Sequence, residues 1–259
     1  VAELVWRFRA EGHALDGIGV GIPGLCDHAR GVVRSSIMLE GWREVALADA
    51  VTRATKLPCV VDNDVNAAAV GEANLRALAD ECMLFVAVGT GIGGALTFGR
   101  EVWRGSSGVA GEIGNITIDR GGPRCWCGRR GCLNTLASGS AIERSAGIPS
   151  GTLAAQFRSG NADVVCAVDD AARALAIGLG NAINLLNPSL VVLGGGVAEL
   201  GGRWLAGVRR HLESQAFVEA VSVCRVELAQ AGYEAGARGA ATIARAAVSD
   251  SSVEQGRVA

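Results

Sequence analysis

The sequence predicts an α/β protein. Short apolar runs end in glycine turns, Ala-rich stretches with helical spacing lie between those runs, and 37 glycines cluster at a few points instead of following a period. Val1, Leu4, Val5 and Phe8 fall at i, i+3, i+4 and i+7, which predicts an amphipathic helix closed by Gly12. Ile18, Val20 and Ile22 alternate before Pro23-Gly24, and Leu57 to Val61 is a second apolar run ending in Asp62-Asn63-Asp64. Both predict strands. Asn66 to Leu78 predicts a helix, and Met83 to Val88 a buried strand that runs into Gly89-Thr90-Gly91-Ile92-Gly93-Gly94, with Ala95 to Phe98 as its hairpin partner. Gly105 to Gly139 is rich in glycine, cysteine and arginine with little periodicity, and reads as loops that need a local organiser. Ala167 to Leu186 predicts a long helix, Leu190 to Leu193 a strand, Gly194-Gly195-Gly196 a turn and Trp204 to Leu212 a helix. Val221 to Leu228 alternates as a strand, Gly236 to Val248 predicts a closing helix, and Ser249 to Ala259 is expected to fray. Strands interleaved with helices imply sheets covered on both faces.

Charge and cysteine usage narrow the function classes. Lys+Arg 24 against Asp+Glu 26 gives a net charge of -2, so nothing suggests a polyanion partner. The uncharged stretches Cys82 to Gly99 and Ala174 to Ala198 are broken by glycines, Asn184, Asn187 and Pro188 into pieces too short for about 30 Å of hydrocarbon. Glu3 and Arg7 interrupt any signal-peptide pattern, so a cytoplasmic protein with no membrane partner is expected. Eight cysteines could staple a secreted domain, but Cys125, Cys127 and Cys132 are too closely spaced for a disulfide ladder.

Four constellations could carry chemistry. Glycines in Gly89 to Gly94 let backbone N–H groups converge on anionic oxygens, and Thr90 adds a hydroxyl; an ordinary tight hairpin would look the same, and no Gly-Lys-Ser/Thr follows to make a Walker A loop. Asp62-Asn63-Asp64 at a strand end could accept a proton from a substrate hydroxyl, or merely cap the following helix. Cys125-x-Cys127-Gly128-x-x-Gly131-Cys132 can wrap one Zn²⁺ at Zn–S distances of about 2.3 Å, with no histidine nearby as fourth ligand, since the three are His13, His28 and His211. Gly194 to Gly196 could admit a nucleotide, or serve close helix–strand packing.

Taken in order, these pieces resemble the ROK family of sugar kinases and sugar-responsive repressors, which has the two-lobed actin/hexokinase-like (ribonuclease H-like) fold. The resemblance covers Gly17 to Val248. It rests on Gly19-Val20-Gly21-Ile22-Pro23-Gly24, Asp62 to Ala69, the Gly89 turn, Gly111-Glu112-Ile113-Gly114, the three-cysteine loop and Leu193 to Gly196. It implies that Asp64 is the base that deprotonates a sugar hydroxyl for attack on the γ-phosphate of ATP. Asn63, Glu112, Asn115, Asn134 and Gly24 would surround the sugar, while Gly89, Thr90, Gly91 and Gly93 would face nucleotide phosphates and Mg²⁺. Gly194, Gly195 and Gly196 would lie near the adenosine, in a cleft closed by domain motion. The smaller lobe would comprise 1–79 with 236–259, the larger 80–235, and the chain would form a homo-oligomer.

Several positions depart from the family pattern. The Asp-x-Gly-Gly-Thr phosphate loop occurs nowhere in the chain, and its opening strands are missing too, which suggests a fragment of a longer protein. Asn115 stands where the family places a zinc-ligating, sugar-touching His, and Asn134 where it places a sugar-binding Glu. An amide is a poor zinc ligand and a weaker acceptor than a carboxylate. These departures point to the sugar-sensing portion of a ROK-type transcriptional regulator, which would meet DNA only through a module outside this chain. The alternative is an ATP-dependent hexose or amino-sugar kinase.

Overall fold

A computed structural model describes residues 1–256, with side chains as far as Ser249. In chain order the elements are α1 (Ala2–Ala10), β1 (Ile18–Ile22), β2 (Leu25–Asp27), β3 (Val32–Ser35), β4 (Arg43–Val45), α2 (Leu47–Thr55), β5 (Cys59–Asn63) and α3 (Asp64–Leu75). Then follow β6 (Cys82–Val88), β7 (Ile92–Phe98), β8 (Glu101–Trp103), α4 (Leu133–Ala137), α5 (Gly139–Ser145), α6 (Leu153–Arg158) and α7 (Ala162–Leu186). The chain continues with β9 (Leu190–Gly194), α8 (Gly202–Leu212), α9 (Val218–Val223), β10 (Arg225–Leu228) and α10 (Ala235–Gly256). It divides into two compact units: Val1–Leu78 with Arg100–Ala110 and Tyr233–Ala259, and Ala79–Gly99 with Gly111–Gly232. Segment Arg100–Ala110 therefore groups with the first unit, whereas the division expected from sequence kept 80–235 together.

In the first unit β1 and β5 pair in parallel, with Gly21 opposite Asp62 and Ile22 opposite Asn63. A separate antiparallel sheet runs β2-β3-β4. Its inner face packs Cys26 and Val33 with Ile22, Val61 and Ala48, so one small core joins both sheets and α2. Helix α10 lies so close to β1 and α3 that a Cβ on Gly19 would stand 1.9 Å from the carbonyl oxygen of Ala240, and one on Gly239 1.6 Å from that of Ala67. Side-chain-free positions on both partners are what permit the approach.

The second unit is built on strands ordered β10-β9-β6-β7. The first three are mutually parallel and β6–β7 is an antiparallel hairpin, with Val88 opposite Ile92 across the glycine turn. Every residue of β9 is buried, which is why it reads as one continuous apolar run. Helix α7 inserts Leu175, Leu179 and Ile183 into the core, capped at its start by the Asn161 side chain on the N–H groups of Asp163 and Val164.

Two expectations need correction. Val221 to Leu228 is not one strand: α9 occupies Val218–Val223, where the N–H of Val221 donates to the carbonyl of Phe217, and only Arg225–Leu228 joins the sheet. Ser249 onward does not fray at once, because α10 continues to Gly256; 257–259 lie outside the described residues. Among the described residues no helix is long and apolar enough to cross a membrane.

Candidate functional site

In the first unit the chain turns from β5 into α3 at Asp62-Asn63-Asp64, and the three side chains divide the work. Asp62 is 4% exposed. Its Oδ1 accepts from the N–H of Asn63 at 2.8 Å and from Asn66 Nδ2 at 2.9 Å, while Oδ2 accepts from Arg104 Nε at 2.9 Å and Nη2 at 2.6 Å. His28 Nδ1 lies 3.5 Å from the same Oδ2 and 3.0 Å from the carbonyl oxygen of Val61. Asn63 is the helix cap: its Oδ1 accepts from the N–H groups of Val65 and Asn66, and its Nδ2 donates to the carbonyl of Gly24 at 3.0 Å. Gly24 has φ +149, and a Cβ there would meet the carbonyl oxygen of Ser35 at 2.5 Å, so the loop that accepts this bond requires glycine.

Asp64 is the remaining carboxylate, half-buried at the first position of α3. Its Oδ1 accepts from the backbone N–H of Val65 at 3.0 Å, and among the described residues no side chain donates to it. Burial raises its proton affinity above that of an ordinary aspartate, against a smaller opposing pull from the amides of Val65 and Asp64. The neighbouring Cys26 thiol is pushed up to about 12 by burial and by the carboxylates of Asp62 and Asp64, which disfavours its thiolate form.

In the second unit the Gly89 turn is held from several sides. The N–H of Gly89 donates to the carbonyl of Gly91, that of Gly139 to the carbonyl of Gly89, and the Ser140 hydroxyl to the carbonyl of Thr90. Asn134 Oδ1 accepts from the N–H of Ile92 at 2.8 Å, so this side chain supports the turn. Thr90 and Gly91 are exposed, and among the described residues nothing accepts from their N–H groups. Exposed amides without an acceptor at a glycine turn suit an anionic oxygen. Gly195 and Gly196 are exposed at the end of β9, where a short 3₁₀ segment, Gly196–Leu200, precedes α8. Glu112 is exposed and accepts from Asn115 Nδ2 at 3.2 Å. Replacing Asn134 by alanine removes the acceptor for Ile92 and is expected to speed exchange of that amide by roughly 5-fold, the size of a lost bond worth about 1 kcal/mol, as hydrogen-exchange NMR would show.

The cysteine loop is organised by its own backbone. Cys125 donates its N–H to the carbonyl of Arg129, Gly128 to that of Cys125 and Gly131 to that of Pro123. The Sγ atoms of Cys125, Cys127 and Cys132 all lie within 4.8 Å of one another, with Cys127 and Cys132 at 3.5 Å. Three thiolates on one tetrahedral zinc would stand about 3.8 Å apart for Zn–S bonds of about 2.3 Å, so the donor set fits such an ion at three corners. Arg129 draws the Cys127 thiol down to about 6, whereas burial pushes Cys132 up to about 11.

Sequence reasoning missed Arg104 and His28. Each is an isolated residue in its own stretch, 42 and 34 positions from Asp62, and no local pattern marks either.

Comparison with known proteins places these features. The ROK family profile matches residues 1–247. A glucokinase of Halalkalibacterium halodurans is 36% identical over 248 residues, covering 87% of this chain and 74% of its own. A putative xylose repressor of Caldicellulosiruptor sp. is 32% identical over 83% of this chain but only 58% of its own length. A ROK glucokinase of Streptomyces griseus, solved with glucose and AMPPNP, superposes with a TM-score of 0.81 at 32% identity, over 94% of this chain and 87% of its own. The mixed α/β architecture of two units, the β5–α3 turn and the three-cysteine loop thus occur in a chain that belongs to the ROK family.

Proposed function

We propose that this chain binds a hexose or amino sugar through the Asp64 carboxylate and serves as a sugar sensor. The observation that carries this is the division of roles at the β5–α3 turn. Asp62 and Asn63 are spent on internal bonds, while Asp64 keeps a half-buried carboxylate of raised basicity. A carboxylate in that setting accepts strongly from a hydroxyl. Sensing is favoured over turnover by the amides Asn115 and Asn134, which stand where the family pattern has a His and a Glu. A sensor needs affinity only, whereas a kinase must also align the hydroxyl for in-line attack.

A second reading, phosphoryl transfer from ATP, is favoured by the same raised basicity and by the open N–H groups of Thr90 and Gly91. In it Asp64 takes the proton of the sugar hydroxyl as that oxygen bonds to the γ-phosphorus and the bond to ADP breaks. Bound Mg²⁺ would neutralise phosphate charge. Thr90 and Gly91 would hold phosphate oxygens, and Gly195 and Gly196 would border the adenosine.

Calorimetric titration with glucose, N-acetylglucosamine and xylose, beside a coupled ADP-release assay with ATP·Mg, separates these readings. Binding without phosphorylation supports the sensor, phosphorylation supports the kinase, and no binding of any of the three sugars overturns both.

Cys125, Cys127 and Cys132 would hold one Zn²⁺, which would cross-link a loop in which most residues from Arg120 to Arg130 are exposed. About one equivalent of zinc is expected on thiol modification, with loss of that equivalent in Cys132→Ser; a fully folded protein that releases none contradicts the site.

A further inference from the structure

The buried carboxylate beside Asp64 is held from outside its own helix. Asp62 is nearly inaccessible, so its charge needs a partner, and the guanidinium of Arg104 supplies it through two nitrogens on one oxygen. That choice of oxygen has a consequence. With Oδ2 fixed by Arg104, Oδ1 is turned toward α3, where it accepts from Asn63 N and Asn66 Nδ2. Those two residues flank Asp64 in the chain, one before it and one two positions after. A carboxylate torsion is broad and two-fold when nothing holds it, so the outer bond orients the inner one.

We propose that Arg104 is a positioning residue. Acting through Asp62, it fixes the turn that presents Asp64 to the sugar hydroxyl. Arg104 belongs to the segment after β8, far from the turn in sequence, and its side chain remains about a quarter exposed. His28, on the loop after β2, stands 3.5 Å from Oδ2 but is directed to the carbonyl of Val61, so it supports the cluster without replacing the fork. The inference rests on reading Asp64 as the ligand-facing group.

The test uses the whole chain with Arg104→Met, Arg104→Lys and, as reference, Asp64→Asn. For the sugar that the wild type binds, Arg104→Met is expected to lose about 10-fold or more in affinity, the scale of misplacement by a fraction of an ångström. Arg104→Lys restores the charge but offers a single point in place of a fork, and is expected to recover only part of the affinity lost in Arg104→Met. Melting temperatures are read alongside. Wild-type affinity in Arg104→Met overturns the proposal, and so does an affinity loss equal in the Lys and Met variants that simply follows their melting temperatures. Amide exchange keeps the two claims separable. A wild type that binds none of the sugars defeats the ligand reading alone. The positioning claim is then decided by the amides of Asn63, Val65 and Asn66, which should exchange about 10-fold faster in Arg104→Met while Val70 and Gly71 stay protected. Unchanged exchange at those three amides overturns it.

Discussion

Gly239→Ala is expected to lower the melting temperature of the first unit by about 10 °C, the counterpart of a loss of about 3 kcal/mol in a domain of this size. An added methyl at Gly239 would sit 1.6 Å from the carbonyl oxygen of Ala67, 2.6 Å from its carbon and 2.8 Å from the N of Gly71. All three are backbone atoms, so no rotamer change relieves the clash, and α10 must move off α3. The same interface is tight elsewhere: a Cβ on Gly71 would meet the carbonyl oxygen of Ala235 at 2.2 Å. Gly236→Ala is the matched control. Nothing lies within 4 Å of a Cβ there, so the melting temperature should hold or rise slightly with the better helix former. Calorimetry on both variants checks this, and equal behaviour of the two would contradict the close approach.

Asp64→Asn should make the protein more stable at pH 7 and less able to act on its ligand. Burial raises the folded-state pKa of Asp64 above its unfolded value, so the folded form binds that proton more tightly. The stability tied to this group is therefore fully present below the unfolded value and is lost as pH rises through the folded one. At neutral pH the charged carboxylate opposes folding, and asparagine, which keeps an oxygen for the N–H of Val65, removes the opposition. The melting temperature of the variant should exceed wild type at pH 7 and meet it once the pH falls below about 3.8, the ordinary aspartate value. Any phosphorylation should fall about 10²- to 10⁴-fold, the usual worth of a general base, with a smaller loss in sugar affinity. A variant less stable than wild type at pH 7 would show that the amide bonds of the first turn outweigh burial.

What the sequence makes legible follows the length of each signal. The runs that became β1, β5, β6, β7 and β9 are five to seven residues of apolar or alternating pattern bounded by glycine or proline, and α7 holds its period for 25 residues. Strands β2, β3 and β4 are three or four residues each, too short for alternation to stand out from chance, and they were not anticipated; neither was α2. The misread segment at Val221 shows the converse failure. Val221 and Val223 alternate, as do Val226 and Leu228, yet the first pair belongs to a six-residue helix with no buried residue, which carries no apolar stripe to announce it. At the site, the acidic turn stood out because its three polar residues are consecutive. Which of them is committed internally depends on Arg104, Asn66 and Gly24, and two of those are separated from it by about 40 residues.

The close seating of α10 on α3 also constrains the order in which the molecule can be made. The first unit is assembled from three stretches, and the last of them follows Gly232. During synthesis at about 5–20 residues per second, α3 emerges on the order of ten seconds before the helix that covers its glycine-lined face. Throughout that interval the faces of β1 and α3 that α10 will cover stay bare, although β1 already pairs with β5. The second unit depends on no residue beyond Gly232 and can condense earlier, its long α7 and the β6–β7 hairpin supplying contacts close in sequence. The bonds that hold the turn bearing Asp64 come from residues made early, whereas the glycine-lined face of α3 behind it is covered only once α10 has left the ribosome.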